Sequence, residues 1–208
     1  MSVSGYQSEL QGFVRDNISS SGHAAVVEAY HAVREIPYFS SGDRSPYAAL
    51  KARRGACTAK HIILRDALRI VGFDAVIELV DCDFAAGVPP HSSMPQDLLD
   101  QVNAGNIRDI HCWVRTRGDT PQLLDATWPS GLAVYGFSTN SGWTGTGDTY
   151  PAVDCVQSVT VSEDVLTEKQ RLLDDFSDQE KKRRKKFLGA LSSWLDSHSV
   201  SVGGKNES

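Results

Sequence analysis

Apolar residues recur at helical spacing in two clear stretches. Across residues 22–35, Val26, Val27, Tyr30 and Val33 form one stripe, and across 58–71, Ile62, Ile63, Ala67, Ile70 and Val71 repeat it. Residues 8–17 carry a weaker version. The first stretch ends at Ile36-Pro37-Tyr38, because a residue before proline is pushed out of the helical region, and a polar turn is expected over 40–46. Gly72 offers a C-terminal stop for the second. The period then changes to two, with Ala75, Ile77 and Leu79 sharing one face of a strand over 73–80. Residues 110–116 and 122–127 read as two strands around Arg117-Gly118-Asp119, and 153–161 as another. Between them, 82–108 is irregular apart from a short helical run over 96–102, and 136–147 is a Gly/Ser/Thr-rich loop. Towards the C-terminus, Thr167-x-x-Gln170 and Ser177-x-x-Glu180 both have the capping-box pattern, and Phe187, Leu188, Leu191, Trp194 and Leu195 follow at helical spacing. These elements predict an α+β protein.

Composition narrows this picture. A chain of 208 residues, 40% hydrophobic and 23% charged, suits one domain with an appendage. The expected division is a catalytic domain over 1–162, a helical extension over 163–198 and a disordered tail over 199–208. A net charge of -5 argues against a general nucleic-acid binder. Cysteines stand at 57, 82, 112 and 155 with no Cys-x-x-Cys pair, so neither a zinc site nor any other metal or cofactor is expected. The first eleven residues are polar, and no apolar run reaches the ~18 residues of a membrane span. The expected setting is therefore cytoplasmic, with reduced thiols.

One of those thiols is placed for chemistry. Arg54-Gly55-Ala56-Cys57-Thr58 stands where a polar loop becomes an apolar helix. Unsatisfied backbone N–H groups and the positive end of the dipole favour thiolate there, and the Cys57 N–H can face an oxyanion. Gly55 permits a tight turn and leaves room for a substrate carbonyl. By itself the motif also suits a small buried cysteine that packs a helix start. A second feature tips the balance. Folding the strand over 110–116 back about Gly118 sets Thr116 opposite Thr120, Trp113 opposite Leu123 and His111 opposite Asp125. Opposed side chains on one face are close enough for an imidazole–carboxylate hydrogen bond, which would fix the tautomer and stabilise the imidazolium.

Gly55-Ala56-Cys57, opening a helix that runs to Leu68-Arg69-Ile70-Val71-Gly72-Phe73-Asp74-Ala75, resembles the nucleophile segment of the transglutaminase-like superfamily. His111-Cys112-Trp113-Val114 and Leu124-Asp125-Ala126-Thr127 resemble its His-x-Trp and Asp-x-Thr segments, in the same order. Lys60-His61 looks like bacterial members, whereas Thr58 stands where animal transglutaminases carry tryptophan, and no calcium-binding acidic loop is evident. The resemblance implies a papain-like core: a helix bearing Cys57 packed on an antiparallel sheet that carries His111 and Asp125. It implies a thioester formed at Cys57 from an amide or ester and resolved by water or an amine.

Trp113, Arg54 and Trp143 are the candidate substrate contacts, Trp143 within a loop able to act as a lid. His61, one helical turn after Cys57, is a competing base expected to lack an aspartate partner. The run from Lys181 to Lys186 is either a solvated helix segment or a site for an acidic partner. The substrate class is a small-molecule or peptide amide or ester. Two other functions fit the same residues: a catalytically idle binding module, or a thiol redox sensor that pairs Cys57 with Cys112.

Overall fold

Helices α1 (Val3–Asn17), α2 (His23–Arg34), α3 (Pro46–Ala52) and α4 (Cys57–Ile70) precede the first strand in the computed structural model, which describes residues 3–40 and 43–198. Then come β1 (Ala75–Asp83), α5 (Gln96–Ala104), β2 (Arg108–Thr116), β3 (Leu123–Leu124), β4 (Asp154–Val161), α6 (Val165–Asp174) and α7 (Asp178–Ser197). The strands form one antiparallel sheet in the order β3-β2-β1-β4. The fold is α+β. The expected tail over 199–208 lies outside the described residues.

α4 is the central element. Every residue from Cys57 to Arg65 is buried, because α1, α2 and α3 cover one side of the helix and β1 and β2 the other. Its expected stripe is only partly realised, since Ile70 at the far end is 47% exposed. Ala75, Ile77 and Leu79 of β1 join Ile110, Cys112 and Val114 of β2 beneath α4, as period-two alternation predicts. α6 closes the same core with Val165 and Leu173.

A second core lies under α7. Phe187, Leu188, Leu191, Trp194 and Leu195 pack on Phe84, Val88, Leu98 and Ile107, so much of the irregular stretch after β1 is a wall of this core. Asp83 pins the two ends of that stretch together. Its carboxylate accepts from the N–H groups of Ala85 (3.1 Å), Asn106 (2.6 Å) and Ile107 (2.9 Å).

Three local expectations change and one holds. α3 forms where a turn and loop were expected, with Ser45 as N-cap accepting from Ala48 N–H and Pro46 in the first turn. Thr167 starts no helix: α6 begins at Val165 because the Asp164 carboxylate accepts from Thr167 N–H. The box at Ser177 and Glu180 forms as expected. Finally, β3 is only two residues long and pairs Val114 with Leu124 and Arg115 with Leu123, a slip of two from the expected register.

Candidate active site

The nucleophile position is built from its glycine outwards. Gly55 N–H donates to the Pro37 carbonyl (3.0 Å) and its own carbonyl accepts from Phe39 N–H (3.2 Å), which straps the approach to α4 onto the 37–39 segment. A Cβ on Gly55 would meet Ala49 Cβ at 2.8 Å. The glycine is therefore required for packing on α3, and the space a side chain would fill there is occupied by the protein itself. Ala56 is an extended N-cap with no side-chain hydrogen bond, and Cys57 follows as the first helical residue, 2% exposed.

His111 comes from β2, and Asp125 from the residue after β3. The two-residue slip keeps side-chain parity, so they still share a face, as diagonal rather than direct neighbours. Beyond Leu124 the chain leaves the sheet, and the carboxylate reaches back to His111: Nε2 lies 2.9 Å from Oδ2. Oδ1 accepts from the Thr127 hydroxyl (2.6 Å) and N–H (3.1 Å), while Oδ2 also accepts from Ala152 N–H (2.7 Å). With Nε2–H given to Asp125, the other ring nitrogen, Nδ1, is buried with no partner of standard geometry. The negative charge of the Cys57 sulfur acts on this ring, and the ring's positive charge on the sulfur.

The electrostatics follow from that arrangement. Burial alone would lower the His111 pKa, but the charges of Asp125 and Cys57 outweigh it and hold the ring up to about 10. A hydrogen bond with the Cys112 thiol does most to hold Cys57 well below the usual thiol range, against burial, with Lys169 and His111 adding to it. Cys112 is pushed well above that range by burial and by the same hydrogen bond. Burial opposes ionisation of Asp125, yet the His111 charge and hydrogen bond keep it well below the usual carboxylate range.

His61 differs from expectation. Its Nε2 lies 3.4 Å from Asp125 Oδ1, so it does reach the aspartate. That same nitrogen accepts from Ala126 N–H (2.9 Å), which makes His61 a support for the segment that carries Asp125. Lys60, fully buried, donates to the carbonyls of Arg34 (2.9 Å) and Thr127 (2.8 Å), and burial pushes it down to about 7.

The candidate substrate contacts are dispersed. Trp113 sits in the sheet beside His111, its indole N–H on Glu78 (2.6 Å). Arg54 stacks on Phe39 and pairs with Asp196 (3.2 Å) on the protein surface. Trp143 is packed on Tyr30 in the main core, with its indole N–H on the Gly147 carbonyl (3.0 Å). Tyr30 in turn donates to the Asp125 carbonyl (3.1 Å), so Trp143 reaches the Asp125 segment through Tyr30. Within the basic run, Arg184 is buried on Asp109 (2.6 Å), and Lys181 and Arg183 donate to the carbonyls of Asp174 and Gly105. Lys182, Lys185 and Lys186 remain exposed.

One group at the site was missed by the sequence reading. Lys169 of α6, 4% exposed, donates to Thr58 Oγ1 (2.9 Å) and lies 3.8 Å from the Cys57 sulfur. Its signal was present: Val165, Lys169 and Leu173 recur at i, i+4, i+8, a spacing that puts a lysine on the buried face. Among the described residues, no group of three or more His, Cys, Asp or Glu side chains is placed to hold a metal ion, and no helix is long and apolar enough to cross a membrane. Compared with known families and curated proteins, the chain matches neither a family model nor a curated sequence.

Proposed function

We propose that this chain is a cysteine-nucleophile acyl-transfer enzyme acting on an amide or ester carbonyl. Within that class we read it as transglutaminase-like with a papain-like core, on the resemblance of its Cys57, His111 and Asp125 segments. The observation that carries the reading is the buried His111 ring, bound to Asp125 through Nε2, with Nδ1 buried and taking no other hydrogen bond. An orphan ring nitrogen is not special to His111, since His31 Nδ1 is buried without a partner too; what sets His111 apart is the Asp125 carboxylate on its other nitrogen.

In this mechanism the Cys57 thiolate attacks the carbonyl carbon and the electron pair moves to oxygen, where the free Cys57 N–H at the helix start stabilises it. As the tetrahedral intermediate collapses, His111 Nδ1–H protonates the departing amine or alcohol and a thioester remains. Water or an amine, deprotonated by Nδ1, then attacks the thioester and returns the sulfur to thiolate. Asp125 keeps Nε2 protonated throughout. Cys57 and His111 are both buried, so an acyl donor enters only when part of the wall moves.

Acid-quenched mass spectrometry after mixing with a p-nitrophenyl ester tests this. One acyl group is expected on the peptide containing Cys57, absent in Cys57→Ala and greatly slowed in His111→Gln. Acylation that persists in Cys57→Ala would sink the reading.

A second reading has support of its own: each of the Cys57 and Cys112 thiols shifts the other's pKa, Cys57 down and Cys112 up. Peroxide would oxidise Cys57 to a sulfenic acid, and Cys112 would displace water to give a disulfide. Loss of two hydrogens in wild type but not in Cys112→Ser would support it, and loss in both would exclude that pairing.

A further inference from the structure

We infer that Lys169 is a further catalytic residue, the counter-ion that holds Cys57 as thiolate and completes a buried series of alternating charge from Asp125 through His111 and Cys57 to Lys169. The inference rests on Cys57 being the nucleophile.

Helix α6 fixes the lysine in place. Asp164 caps its start, and Val165 and Leu173, one turn to either side of Lys169, are buried in the main core at 2% and 6% exposure. The ammonium is thus drawn into an apolar face, where an unpaired cation is costly unless an anion meets it. Its two partners are the neutral Thr58 hydroxyl at 2.9 Å and the Cys57 sulfur at 3.8 Å, and no carboxylate pairs with it among the described residues. The sulfur is the one partner able to carry the balancing charge.

The other ionisable groups facing Cys57 are already matched or neutral. From β2, His111 is balanced by Asp125 at 2.9 Å, and Cys112 stays a thiol. From α7, Arg184 is balanced by Asp109 at 2.6 Å. Tyr38, on the segment strapped to Gly55, is held neutral by burial, and Lys60 on α4 itself is bound by two carbonyls. Two cations therefore flank the sulfur, and Lys169 is the one with no other anion to serve. Thiolate formation then does not depend on His111 alone, which leaves Nδ1–H free for the leaving group. Thr58, where animal transglutaminases carry tryptophan, gains a role as the hydroxyl that aims Lys169.

The test is a pH titration of the Cys57 thiolate by its ultraviolet absorbance, with Cys57→Ala as blank, alongside the rate of acyl-enzyme formation. Lys169→Met and Lys169→Gln should raise the midpoint by about 1–3 units, the span an adjacent opposite charge commands. At any pH below the raised midpoint, acylation should slow by about tenfold for each unit of separation and recover as pH is raised through it. Lys169→Gln keeps a hydrogen bond to Thr58, so it reports even if the methionine variant folds poorly, and Lys169→Arg should restore the low midpoint. His111→Gln should retain thiolate absorbance that the double variant with Lys169→Met loses. Midpoints unchanged in both neutral variants, with wild type still acylated on Cys57, would overturn the role of Lys169 and leave the nucleophile standing. A wild type that is never acylated on Cys57 would instead remove the functional reading, whatever the titration shows.

Discussion

At the scale of single residues, Asp125 is the most heavily constrained group in the site. Its carboxylate takes hydrogen bonds from His111, from the Thr127 hydroxyl and N–H, and from Ala152 N–H, and its own N–H donates to Thr149 at 2.8 Å. Four donors on one buried carboxylate leave it no reason to take up a proton, so its charge is always available to the imidazole. Asp125→Asn keeps the shape and removes that charge. Acylation of Cys57 is expected to fall by about a hundredfold to ten-thousandfold, with folding retained by circular dichroism. A loss of less than threefold or so would mean that Asp125 positions the loop and not the histidine.

At the scale of elements, the approach to α4 depends on a contact between two helices. Gly55 lies against Ala49 of α3, so Gly55→Ala forces the two apart, and a loss of about 1–3 kcal/mol is expected in chemical denaturation. Elements of strong period were readable from sequence: β1 and β2 bury the faces that their patterns predict, and α4 does so as far as Leu68, with Ile70 exposed. α3 was not read, although Ser45 and Pro46 give a helix-start signal, because seven residues are too few for a stripe to show. The pairing of His111 with Asp125 survived a wrong register because the error was two residues, an even number, which preserves the face. A slip of one would have turned the two side chains to opposite faces. The site residues that sequence reached, Cys57, His111 and Asp125, are those fixed by a local device, a helix start or a hairpin. Lys169 and Arg184 arrive by packing of distant helices, and no local pattern says what they will meet.

At the scale of the whole molecule, α6 belongs to the main core and α7 to the second, and each carries a cation inward, Lys169 to the sulfur and Arg184 to Asp109. On the proposed function the site draws on the whole chain: α4 would supply the thiol, the β2–β3 hairpin the base and its carboxylate, and α6 the second cation. That function requires a thiolate–imidazolium pair held away from water. The most direct measurement of that pair is a nuclear magnetic resonance titration of the His111 ring. A pKa raised in the folded state means the ring is protonated at neutral pH and loses its proton only as pH climbs through about 10, where acylation should also fall away. In Cys57→Ala the midpoint should drop, because one of the two charges that raise it is gone. A His111 ring that is neutral at neutral pH, and whose titration ignores the loss of Cys57, would contradict the ion pair.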